Sequence, residues 1–91
     1  MVKGKGSYTV SVSVNGVPIR LPIERWGHIS ERHPELEKSK DKILEAIREP
    51  DLVQRGDFQT LMAVKKEKEL YLVVIYREIS QEDGFIITAY L

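Results

Sequence analysis

The stretch Leu70-Tyr71-Leu72-Val73-Val74-Ile75-Tyr76 constrains this chain more than any other, because every position in it is apolar or aromatic. Its length and its β-branched and aromatic content predict a strand, and alternation along a strand then puts apolar groups on both faces. Such a strand is central: covered on both sides, or covered on one and lined with functional aromatics on the other. The rest of the chain must supply its neighbours. Downstream, Glu82-Asp83-Gly84 predicts a turn and Phe85 to Leu91 a returning strand. Upstream, Arg55-Gly56-Asp57 predicts a turn, Phe58 to Val64 a strand, and Lys65 to Glu69 a charged hairpin loop. These three strands read as an antiparallel meander.

The first half of the chain has a different rhythm. Ser7 to Val14 alternates strictly, with Tyr8, Val10, Val12 and Val14 on one face and hydroxyl residues on the other, the pattern of a half-buried strand. Asn15-Gly16 predicts a two-residue type I′ turn, which needs positive φ at both central positions. A second strand follows through Leu21, and Pro18, lacking a ladder donor, predicts that it lies at a sheet edge. Pro22 opens a helix from about Glu24 to Arg32, ended by Pro34 because the residue before proline avoids helical angles. Gly27 costs that helix about 1 kcal/mol relative to alanine, so packing must hold it. A second helix is expected from Ser39, a possible N-cap, to Arg48, with an apolar stripe of Leu36, Ile43, Leu44 and Ile47, and with Pro50 ending it. The expected fold is α+β: an N-terminal β-hairpin, two helices, then a three-stranded antiparallel meander with the helices packed on one face of the sheet. A single domain over residues 7–91 follows a Gly/Lys-rich, flexible start at residues 1–6.

Composition narrows the function classes. Ninety-one residues with 42% hydrophobic and 31% charged content suit one globular domain, and the zero net charge argues against a strongly basic nucleic-acid binder. Local clusters such as Lys3, Lys5 and Arg20 leave RNA contact open. No apolar run approaches the roughly 20 residues of a membrane helix, and no apolar leader follows the N-terminal lysines, so a cytoplasmic protein with no membrane partner is expected. The absence of cysteine removes thiolate chemistry and disulfides.

The chemistry-bearing residues gather in Trp26 to Glu35, which holds both histidines and the only tryptophan. On an ideal helix Ile23, Trp26, Ile29 and His33 share one face, while Arg25, His28 and Arg32 share the opposite one. Trp26 reads as an anchor. His33 reads equally as a half-buried imidazole closing its helix and as a proton carrier directed at the sheet, where Thr88 and Tyr90 on one side of the last strand, with Arg77, could complete a phosphate site. Without further support His28 and Arg32 read as a solvated face, Arg77 as a charge blunting a strand end, and Tyr71 and Tyr76 as packing. Two histidines at i and i+5 do not make the i, i+4 pair of a helical zinc site, so no metal is expected. There is no nucleophile elbow, P-loop or dinucleotide fingerprint, so no cofactor is expected either.

The motif Trp26-x-His28-Ile29-x-x-Arg32-His33-Pro34-Glu35, followed by a helix, a long apolar strand and the closing Ile87-Thr88-Ala89-Tyr90-Leu91, resembles the phage and bacterial nuclease domains grouped with barnase, EndoU, colicin E5/D and RelE, the BECR fold. The resemblance covers roughly residues 22–91 and omits the N-terminal hairpin. It implies metal-independent RNA cleavage by attack of the ribose 2′-hydroxyl on its own phosphate, with His33, His28, Arg32, Arg77, Thr88 and Tyr90 as candidate catalytic residues. It further implies an RNA substrate, a toxin or processing role, and an antitoxin or other protein partner. The rival reading from another class is a non-catalytic interaction module that pairs through a sheet edge with a partner or with a second copy in a homodimer.

Overall fold

In the computed structural model, which describes residues 8–91, the long apolar strand lies inside a six-stranded sheet. The elements are β1 (Tyr8–Val12), β2 (Pro18–Pro22), α1 (Ile23–Arg32), α2 (Lys40–Arg48), β3 (Leu52–Arg55), β4 (Leu61–Glu67), β5 (Leu70–Ser80) and β6 (Asp83–Tyr90). Short 3-10 turns lie at Pro34–Leu36 and Asp57–Gln59. The sheet order is β1-β2-β6-β5-β4-β3. The flexible start expected at residues 1–6 lies outside the described residues.

This overturns the expected architecture of a separate hairpin and a three-stranded meander with both helices on one face. The sheet is mixed. The hairpin joins it by a short parallel ladder in which Ile19 pairs with Gly84 and Arg20 with Phe85. The glycine in the β5–β6 turn region permits this, because a Cβ at Gly84 would lie 2.6 Å from Ile19 Cδ1 and 2.5 Å from the Arg77 carbonyl oxygen. β3, which the sequence pattern did not suggest, adds a further antiparallel neighbour to β4. The helices divide the sheet between them: α1 packs on β6 and β2, and α2 on β1, β5 and β4.

Several local expectations change with it. β2 is interior, flanked by β1 and β6, and Pro18 is tolerated because the parallel ladder includes only Ile19 and Arg20. The edge is β1. Its turn is not type I′: Gly16 N–H donates to Ser13 O at 2.9 Å, and Gly16 (φ +80°) is left-handed while Asn15 is not. Along β1 and into the turn after it the alternation is inverted from the usual apolar-in arrangement, with Ser11 and Ser13 buried and Val10 and Val12 about half exposed. Hydrogen bonds make this tolerable. Ser11 Oγ donates to Leu44 O of α2 at 2.7 Å, and Ser13 Oγ to Glu78 Oε2 at 2.6 Å. Phe58 stands in a 3-10 turn before β4 instead of opening it, and β4 extends through Lys65 to Glu67, where a loop was expected.

The core joins Val17, Ile19 and Leu21 of the hairpin region, Ile29 of α1, Leu36, and Ile43, Ala46 and Ile47 of α2 to Ala63, Leu72, Val74, Tyr76, Ile86 and Ala89 of the sheet. Trp26 and Leu44 pack against it from partly buried positions, so Trp26 is an anchor, whereas Ile23, expected on the same face, is exposed. The Tyr76 hydroxyl is buried with no hydrogen-bond partner among the described residues, and burial, with Glu78's charge as a smaller cause, pushes its pKa up to about 12. Among the described residues, no helix is long and apolar enough to cross a membrane.

Candidate functional site at the α1–β6 groove

α1 is held at the side of β6 by a narrow apolar contact. Ile29 is its one buried residue, and Arg25 and Arg32 lie on the side of the helix beside Ile87 and Thr88 of β6. Arg25, His28 and Arg32, spaced i, i+3 and i+7, line a groove of about 390 Å³ with Ile29 and with Ile87 and Thr88 of β6. A neighbouring recess of about 520 Å³ shares Arg25 and His28 and is closed by Arg20, Pro22, Glu24, Phe85 and Ile86. The helix thus serves the core and the groove at once, and His28 reaches the sheet although it lies away from Ile29 on the helical wheel.

A bulge in β6 sets the opposite wall. Between the pairs Val74–Ala89 and Tyr76–Ile86, the single residue Ile75 faces both Ile87 and Thr88. Inward Ile86 and inward Ala89 are therefore separated by two residues, and the period of two is broken. One consequence corrects the simple alternation expected for this strand. Phe85, paired with Arg77, falls on the same face as Thr88 and Tyr90, instead of opposite them.

His33 stands beside the groove, one residue beyond Arg32. It ends α1 with its backbone N–H donating to Ile29 O at 2.8 Å, in a non-helical conformation (φ −129°, ψ 75°), so the helical wheel no longer places its side chain. Its ring centroid is 6.3 Å from that of Tyr90, tilted by 39°, and its Nδ1 lies 3.5 Å from Glu35 Oε2. The half-buried imidazole therefore faces a phenol and a carboxylate. It is the backbone, not the ring, that closes the helix.

Charge in the groove is unevenly compensated. Arg20 is held by Asp83, with Nε at 2.9 Å and Nη2 at 3.3 Å from its carboxylate oxygens. Among the described residues, Arg25, Arg32 and His28 make no ion pair. Guanidinium groups left open beside hydroxyl and imidazole donors suit a phosphate. Of the residues expected from sequence, His28, Arg32 and Thr88 come together in the groove, and His33 and Tyr90 come together next to it. Arg77 is placed differently. Its Nη2 donates to Phe58 O at 2.8 Å, tying it to the turn before β4.

Arg25 and Phe85 were missed as site residues. The spacing of Arg25 with His28 and Arg32 was visible as one helical face and could have revealed it. Phe85 was hidden by the bulge. Among the described residues, no three His, Asp or Glu side chains gather as a metal-binding group. Compared with known protein families, with characterised proteins and with solved structures, the chain finds no match.

Proposed function

We propose that this chain is a metal-independent endoribonuclease domain of the toxin or processing type, cleaving RNA through its own 2′-hydroxyl. The observation that carries this reading is one groove lined by Arg25, His28, Arg32 and Thr88, whose two guanidinium groups make no ion pair among the described residues. The resemblance of the Trp26–Glu35 motif supports it independently. In such cleavage the 2′-oxygen forms a bond to phosphorus and the bond to the 5′-oxygen breaks, leaving a cyclic phosphate and a free 5′-hydroxyl. One group takes the 2′-proton, another gives a proton to the leaving oxygen, and cations hold the extra negative charge between the two events. His28 is the proton carrier inside the groove. His33, facing Tyr90, is the second, and Arg25, Arg32 and the Thr88 hydroxyl are the phosphate donors.

The test is incubation of the pure protein with mixed RNA in excess chelator, beside His28→Ala and His33→Ala. Cleavage by the parent protein that both variants lose supports the reading. A parent protein that cuts no RNA under any condition and does no harm to cells expressing it sinks the reading. The non-catalytic alternative keeps one observation in its favour: the edge strand β1 exposes Val10 and Val12 on a side chain row that no helix covers. Strand addition there to a partner or a second copy would appear as a larger particle in solution that Val12→Lys returns to monomer size.

A further inference from the structure

The turn joining β3 to β4 presents a contradiction that packing does not explain. Phe58 is 85% exposed, the most exposed large hydrophobic side chain among the described residues. It is also held in a left-handed conformation (φ 57°, ψ 40°), followed by Gln59 at φ 63°. Two successive left-handed residues with side chains are costly for L-amino acids, and they persist only where the surroundings impose them. Here the surroundings do. Gly56 N–H donates to Thr60 O at 2.9 Å, Thr60 N–H and Oγ–H donate to Asp57 O at 3.1 and 2.7 Å, and Arg77 Nη2 donates to Phe58 O at 2.8 Å. Thr60 Oγ1 would be only 2.5 Å from a Cβ at position 56, so the loop closes tightly on a glycine. The turn is braced to hold an aromatic ring in water.

Arg77 links that ring to the groove. It is the cross-strand partner of Phe85, which lines the recess shared by Arg25 and His28. Directly opposed residues lie about 5 Å apart, so Arg77 spans from the strand position beside Phe85 to the Phe58 carbonyl. We infer that Phe58 is a stacking platform for an unpaired nucleobase flanking the phosphate held in the α1–β6 groove, with Arg77 as the residue that positions it. This deepens the ribonuclease reading and rests on it, and it names single-stranded RNA as the substrate class. A flat apolar ring suits any base face, whereas paired bases would be unavailable to it.

The experiment measures binding of a short single-stranded RNA whose 2′-hydroxyls are methylated so that it cannot be cut. Phe58→Ala should weaken binding about tenfold and Phe58→Trp should retain it. Arg77→Ala should weaken it similarly, with little further loss when combined with Phe58→Ala. Placing one abasic sugar at each position in turn should find a position at which the parent protein and Phe58→Ala bind alike. Unchanged affinity in Phe58→Ala, alongside loss in Arg32→Ala, overturns the platform, leaves the ribonuclease reading standing, and assigns the exposed ring to a protein contact. A parent protein with no affinity for the RNA overturns both.

Discussion

The two helices are of similar length and opposite use. α2 buries Ile43, Ala46 and Ile47, and two of its charges face partners on β4: Lys42 Nζ lies 2.8 Å from Glu67 Oε1 and Lys65 Nζ lies 3.9 Å from Glu45 Oε2, while Lys65 also donates to Glu49 O at 2.7 Å at the helix end. The hydrogen bond to Glu67 raises the Lys42 pKa above its ordinary value. α1 buries Ile29 alone, leaves Ile23 60% exposed, and turns toward one groove three cationic or imidazole side chains that make no ion pair among the described residues. Unpaired surface cations are common, and among the described residues Lys40 and Arg48 of α2 make no ion pair either. What separates α1 from α2 is that Arg25 and Arg32 line one recess together with His28, where they are available to a ligand.

The sharpest way to break this comparison is to remove one functional group from α1. His28→Ala is expected to lower RNA cleavage by about 10²–10⁴-fold, while its denaturation midpoint barely moves because the residue is exposed. A comparable loss of stability would make α1 a second structural helix. The reverse holds for α2, where Ile47→Ala empties a fully buried position and should cost about 2–5 kcal/mol in urea denaturation.

Tyr76 probes the β5 core on which α2 packs. Its folded pKa of about 12 exceeds the ordinary 10.0, so the unfolded chain loses this proton first. The contribution to stability is complete below pH 10 and declines as pH rises toward about 12. Tyr76→Phe removes that decline and an unpartnered hydroxyl, so its stability at neutral pH should match or exceed the parent's by up to about 1 kcal/mol. Parallel pH profiles of the two proteins across this alkaline window would contradict the burial. The smallest effect belongs to Ile23→Ser, expected to stay within about 0.5 kcal/mol because the side chain is mostly in water. A larger loss would show that α1 leans on the sheet more than its single buried residue suggests.

Local pattern carried much of this. The helix bounds near Pro22, Pro34 and Pro50 follow from what proline does to backbone angles, and the i, i+3, i+7 row of Arg25, His28 and Arg32 is helical geometry that needs no tertiary contact. β5 was legible because an unbroken apolar run has few other fates. β3 was not. Four residues, of which only Val53 is better than exposed, carry almost no alternation signal, and they become a strand because β4 offers an unpaired edge.

The chain alone therefore determined where the two helices stop, that β5 is a strand, and that His28 and two arginines sit on one short helix with His33 directly after it. Tertiary structure decided how those pieces meet, for reasons that span long separations in sequence. Whether the valines or the serines of β1 turn inward depends on the Leu44 carbonyl and the Glu78 carboxylate. Whether the hairpin joins the sheet depends on the space left at Gly84 for Ile19. Which side Phe85 faces depends on the extra residue that β6 carries opposite Ile75. Alternation and helical spacing specify two faces for each element, but only packing selects which face looks into the groove.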